Sequence, residues 1–94
     1  MSTARINMLE FDSEEDLNQR AGTYQREAPK LFPNAEILLT IKTGPTSAMS
    51  VSIYPDEKSA KVSLIRRNKH FKTAKVQPRE AWYLEGQVVQ RHVK

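Results

Sequence analysis

The stretch Ile37–Lys61, ILLTIKTGPTSAMSVSIYPDEKSAK, decides the fold. Ile37, Leu39 and Ile41 alternate with Leu38, Thr40 and Lys42; after Gly44-Pro45, Met49, Val51 and Ile53 alternate with Ala48, Ser50, Ser52 and Tyr54. Alternation with a period of two marks a strand with two unlike faces, and Gly-Pro between two such runs marks a turn. The spacing predicts an antiparallel hairpin with strands over 35–43 and 47–54. Its apolar side (Ile37, Leu39, Ile41, Met49, Val51, Ile53) is expected to pack under helices, and its Thr40/Ser50/Ser52/Tyr54 side to stay open. Pro55-Asp56-Glu57 then places a proline and acids in the first turn of a second helix, where fixed φ and the helix dipole favour them.

On the N-terminal side, RINMLEF (Arg5–Phe11) carries Ile6 and Met8 on one side and Leu9 and Phe11 on the other, as suits a strand in mid-sheet. Ser13 is a fitting N-cap for a first helix that opens on Glu14, Glu15 and Asp16. Leu17, Ala21, Tyr24, Ala28, Leu31 and Phe32 recur at helical spacing, and Pro33-Asn34 ends the segment. On the C-terminal side, Ala60, Leu64 and Phe71, flanked by Val62 and Ile65, give the second helix a looser stripe that frays near Phe71. KTAKVQPREAW (Lys72–Trp82) reads as a loop, and YLEGQVVQRHV (Tyr83–Val93) as a last strand with Gly86 as a candidate bulge. The order β-α-β-β-α-β with right-handed crossovers gives an α+β, ferredoxin-like fold. It is one four-stranded antiparallel sheet with both helices on one face, in a single domain over residues 1–94.

Composition removes several kinds of chemistry. The chain has no Cys, so disulfides, cysteine zinc sites, iron–sulfur clusters and thiol catalysis are excluded. No apolar run approaches the roughly 20 residues of a membrane span. The opening Met1-Ser2-Thr3-Ala4-Arg5 lacks the apolar core of a signal peptide, so the expected location is the cytoplasm. His70 and His92 have no carboxylate at ligand spacing, and no metal site is expected. The net charge of +4 hides an asymmetry. Residues 1–57 carry five basic and nine acidic side chains, and residues 58–94 ten and two. Lys58, Lys61, Arg66, Arg67, Lys69, Lys72, Lys75 and Arg79 run without an acid between them. They are expected to form a solvated helix face and loop, with an anionic partner as the functional alternative. RNA-recognition motifs share this strand order but need aromatics on the third strand, where this chain has SAMSVSIY; nucleic acid is therefore not an expected partner.

VSIYPDEKSAKVSL (Val51–Leu64), a strand running through Tyr-Pro-Asp into a basic helix, resembles the middle of the antibiotic-biosynthesis-monooxygenase-type proteins. YLEGQVVQRHV resembles the strand that closes them. These belong to the dimeric α+β barrel group, and the resemblance implies a homodimer whose two sheets meet face to face. It also implies an oxygenase that acts without a cofactor on a small aromatic or quinone-like compound. There the substrate's own carbanion reacts with dioxygen while the protein binds, desolvates and orients it. The pocket of such proteins lies between helices and sheet. The residues here that suit it are Asn7 to hydrogen-bond a substrate oxygen, His70 as general base and Trp82 as an aromatic wall. Tyr54 and His92 would contact substrate, and Arg66 an anionic group on it. Against this stands a plainer account: His70 solvated at a helix end, Trp82 a core or interface anchor, Tyr54 a strand-end packing residue. The rival function is a non-enzymatic ligand- or protein-binding module that uses the basic second helix. The enzyme requires a cleft between helices and sheet with Asn7, Tyr54, His70 or Trp82 turned into it; the module requires a filled core.

Overall fold

The computed structural model describes residues Met1–Lys94. Its elements are β1 (Thr3–Glu10), α1 (Glu14–Leu31), β2 (Ile37–Lys42), β3 (Ser47–Tyr54), α2 (Glu57–Thr73) and β4 (Glu80–Gln87). The strands form one antiparallel sheet in the order β2-β3-β1-β4, so β1 is interior, as its two apolar sides predict. Both helices start as the sequence suggests. Ser13 Oγ accepts a hydrogen bond from the Asp16 amide at 3.1 Å, and Asp56 Oδ1 one from the Ser59 amide at 2.7 Å. That backbone bond holds the Asp56 carboxyl below its ordinary range.

The two faces of the hairpin lie opposite to expectation. Residues paired directly across strands share a face. Ile6 pairs with Val51 and Leu84, Met8 with Met49 and Trp82, and Leu39 with Val51. This apolar set faces away from the helices and leaves Leu39, Ile41, Trp82 and Leu84 exposed on the single chain. The other set is buried: Arg5 opposite Ser52, Asn7 opposite Ser50, Thr3 opposite Tyr54. Alternation fixes that a strand has two faces but not which one the helices cover. Here the helices decide. The buried residues of α2 are Ala60, Ser63, Arg67 and His70, and those of α1 are Leu17, Arg20 and Ala28. Long polar side chains descend from both helices, and the short serines of β3 leave them room. Val62 and Ile65, read as flanking the α2 stripe, are exposed at 42% and 72%.

Three further expectations change. Arg67 is not part of a solvated basic face but one of the buried residues of the interior. The last strand is Glu80–Gln87 rather than Tyr83–Val93, because its eight residues match the eight of β1 in unbroken register from Glu10↔Glu80 to Thr3↔Gln87. That register leaves Gly86 opposite Ala4 with no bulge. The apolar core is split between a cluster of Ala28, Phe32, Tyr54 and Ala60 and one of Phe11, Leu17 and Ala48. No helix is long and apolar enough to cross a membrane.

Candidate functional site

β1 projects Arg5 and Asn7 toward the helices, and α2 answers with Arg67, three turns into the helix. Arg67 Nε donates to Asn7 Oδ1 at 2.6 Å, and Asn7 Nδ2 donates to Ser50 Oγ at 3.1 Å. Both ends of the Asn7 amide are therefore engaged, and its first job is to set the Arg67 guanidinium. That guanidinium also donates through Nη1 to Asn68 Oδ1 at 3.0 Å. It lies 4.3 Å from the Phe71 ring centre and 4.5 Å from that of Tyr83. Arg20 reaches Phe71 too, at 4.8 Å, and donates to the Val76 carbonyl at 2.6 Å. Two cations thus converge on one ring, each contact contributing roughly 0.5–2 kcal/mol.

Arg5 is different. Nε meets Glu85 Oε1 at 3.0 Å, Nη1 donates to Ser63 Oγ at 2.9 Å, and Nη2 donates to the Ala60 carbonyl. Its charge is paired and it ties β1 to α2 and β4. Neither Arg20 nor Arg67 has a carboxylate within ion-pair distance. Burial lowers the pKa of both.

Two polar atoms in this region are buried without a partner, the Tyr54 hydroxyl and His70 Nε2. An unsatisfied buried group costs roughly 1–3 kcal/mol, so it calls for water or a ligand. His70 Nδ1 lies 3.8 Å from Glu27 Oε2 at the surface, which leaves Nε2 on the inner side. Burial, and next the charge of Arg20, lower the His70 pKa; Glu27 opposes them. The imidazole is therefore neutral at pH 7. Tyr24, beside His70 with ring centres 6.3 Å apart, has its phenol pushed up to about 12 by burial and stays protonated.

These groups line one cavity of about 40 Å³ between the helices and the sheet. That holds a few waters. Its walls include Arg5, Arg20, Arg67, His70 and Tyr54, and no acidic residue. Leu17, Ala21, Tyr24, Thr40 and Ala48 are shared with a wider groove of about 530 Å³ between α1 and the β2 edge. The arrangement is a small chamber whose largely apolar walls carry a base, a phenol and unpaired cations, adjoining a larger and less apolar groove.

Of the residues singled out from sequence, Asn7, Tyr54 and His70 come together in this chamber. Trp82 does not: it stands on the opposite face of the sheet beside Met8, because Tyr83 takes the inward position of β4. His92 lies in the exposed C-terminal segment past β4. Arg66 is exposed and donates to the Leu31 carbonyl at 3.1 Å, on the outer edge between the helices. Sequence reasoning missed Arg5 and Arg20 and put Arg67 in solvent. The signal was present: Ala60, Ser63, Arg67 and His70 recur at 3, 4 and 3 residues, a helical stripe in polar residues.

No protein-family model matches the chain, and no curated protein matches it in sequence. Solved structures do. A dimeric ferredoxin-like protein from an uncultured marine organism superposes with a TM-score of 0.80, at 14% identity over 100% of both chains. SnoaB, a cofactor-independent oxygenase from Streptomyces nogalater, gives 0.70 at 11% identity, over 96% of this chain and 95% of its own. The chain has the ferredoxin-like fold of these proteins. The heme-degrader MhuD from Mycobacterium tuberculosis, whose structure has two hemes bound in its active site, gives 0.73 at 14% identity, over 97% of this chain and 99% of its own. Antibiotic-biosynthesis-monooxygenase-type proteins also stand among the matches. At these identities the likeness is one of fold, and chemistry has to be argued from the chamber itself.

Proposed function

We propose that the protein is a small-molecule enzyme, a cofactor-independent oxygenase for an aromatic or quinol-type substrate. The observation that carries this reading is the pairing of two unsatisfied groups, His70 Nε2 and the Tyr54 hydroxyl, in one buried chamber. The aromatic body of the substrate sits in the groove between α1 and β2, and its reacting end enters the chamber. His70 Nε2 removes a proton from an activated CH2 carbon, as a neutral imidazole near its working pH does well. Tyr54 donates a hydrogen bond to the adjacent substrate oxygen. The carbanion passes one electron to dioxygen, the two radicals combine as a peroxide anion, and the His70 imidazolium returns its proton to give the hydroperoxide. Loss of water leaves a ketone, so CH2 and O2 give C=O and H2O. The protein's part is to hold, orient and dry the reacting carbon.

A haem is a poor fit here. His70 Nε2 has the chemistry of an axial ligand, but the chamber is far smaller than a porphyrin and its wall is closed by the stack of Phe71, Arg67 and Tyr83. No step is routed through such a group. The working unit in this proposal is a homodimer. The uncovered sheet face of Ile6, Met8, Leu39, Ile41, Met49, Val51, Trp82 and Leu84 is a contiguous apolar surface of the kind a partner covers, and a second copy offers its match.

An oxygen electrode tests the activity with two hydroxylated anthrones as probes, one bearing a ring carboxylate and one without it. The expected result is one dioxygen consumed per anthrone, and a kcat lower by about 10²–10⁴ in His70→Gln, the contribution usual for a general base. Uptake no faster than buffer, or a His70→Gln variant as fast as the parent, overturns it.

A further inference from the structure

We infer that the molecule taken by this chamber carries a permanent negative charge, a carboxylate on or beside its aromatic ring, and that Arg20 and Arg67 hold it. This rests on the proposal that the chamber is the ligand site and adds the ligand's charge class. Three arginines line the chamber and only Arg5 has a counter-ion, Glu85. Arg20 spends one N–H on the Val76 carbonyl; Arg67 spends two, on Asn7 and Asn68. Both are buried, at 5% and 9% exposure. A buried charge without a partner is held at a cost of several kcal/mol. Each guanidinium keeps free N–H donors, and the planar fork of a guanidinium suits a carboxylate.

Water molecules satisfy the N–H groups but not the charge. A neutral ligand that displaced them would leave both cations in a drier chamber, where like charges repel more strongly. After burial itself, the charge of Arg67 lowers the Arg20 pKa and that of Arg5 lowers the Arg67 pKa. An anionic ligand reverses that penalty, and its aromatic ring follows on into the α1–β2 groove. Nothing acidic in the chamber wall competes for the site.

Benzoate and its neutral near-isostere benzamide are the probes, each titrated by calorimetry and by thermal shift at low ionic strength. Benzoate is expected to bind one per chain and at least tenfold tighter than benzamide, and Arg20→Gln to erase the difference. The contrast between the probes is read on the unaltered protein, so it stands whether or not Arg20→Gln folds. Equal binding of both probes overturns the inference and leaves the chamber as an uncharged ligand site. Unchanged benzoate affinity in a folded Arg20→Gln also overturns it. If neither probe binds but the anthrone without a carboxylate is oxidised, the charge class is wrong and the enzyme reading stands. If neither binds and no oxidation occurs, both fall together.

Discussion

Asn7 on β1 and Arg67 on α2 are joined by a 2.6 Å hydrogen bond, Oδ1 accepting from Nε, at the centre of the interior. Sixty residues separate them in sequence, and the bond fixes both the height of α2 over the sheet and the direction of the guanidinium. An asparagine here makes the bond without neutralising the arginine. Asn7→Asp is therefore an informative change. A carboxylate at this position accepts from Arg67 on one side and from the Ser50 hydroxyl on the other. The variant should melt no lower than the parent, while its benzoate affinity falls at least tenfold because the counter-ion is now built in. A variant that binds benzoate as the parent does would show that Arg67 is not a ligand for the anion.

Tyr54 is fully buried, with its hydroxyl unpartnered. Tyr54→Phe removes a group whose burial costs roughly 1–3 kcal/mol when unmet. With no ligand present the variant should be about 1 kcal/mol more stable, a rise in Tm of about 4–8 °C for a chain of this size. Differential scanning calorimetry reads it. A lower Tm would mean that the hydroxyl is already satisfied in the resting protein and is not waiting for substrate.

The pattern of strands was legible in the sequence, and the use of their faces was not. SAMSVSIY marks β3 to the residue, because alternation and a turn leave no other reading. Which side meets the helices depends on what the helices bring. The apolar stripe expected on α2 is Ala60, Leu64 and Phe71 with Val62 and Ile65 flanking it; its buried residues are Ala60, Ser63, Arg67 and His70, so only Ala60 is common to both. Polar residues at helical spacing look like a solvated face, all the more when the opposite face is apolar, and the exposed Val62 and Ile65 sit on that opposite face. The same habit hid Arg5, which alternates with Ile6 on a strand taken as apolar on both sides. Half of the candidate site, Asn7, Tyr54 and His70, was visible as single unusual residues. The other half, Arg5, Arg20 and Arg67, was passed over because buried arginines are rare enough to be read as surface, although Arg67 lies on the same stripe as Ala60, Ser63 and His70.

The inverted faces carry their own test. Val51 lies opposite both Ile6 and Leu39, in the middle of the uncovered apolar surface. The parent should sediment as a dimer at micromolar concentration. Val51→Glu places a charge where a second sheet would have to desolvate it, and the variant should sediment as a monomer with unchanged far-UV circular dichroism. A monomeric parent, or a Val51→Glu variant that remains dimeric, rules out pairing through this face.

His70 should give stability an acid limb and, if it is the base of the proposed reaction, activity as well. Its folded pKa lies below the ordinary 6.5, lowered by burial and by Arg20 against the opposing pull of Glu27. Above pH 6.5 the imidazole is neutral in both folded and unfolded chains, and it contributes no pH dependence. Below that, the unfolded chain takes up a proton that the folded protein resists, so stability falls with pH until the folded pKa is passed. Urea denaturation from pH 7.5 down to the acid limit should show this slope in the parent and a smaller one in His70→Gln. kcat/KM for the anthrone should hold constant down to a pH below 6.5 and then fall, following the protonation of Nε2.

Ligand entering beneath the helices, and not on the open sheet face, is read by one side-chain NMR titration that reports on both places at once. Arg67 Nε–H reports on the chamber. The Trp82 indole N–H reports on the far face, since Trp82 pairs with Met8 there. On addition of benzoate to the protein, the Arg67 Nε–H signal should move in proportion to occupancy while the Trp82 indole signal stays in place. Movement of Trp82 with Arg67 unmoved, or no movement of Arg67 at saturating benzoate, would contradict the account.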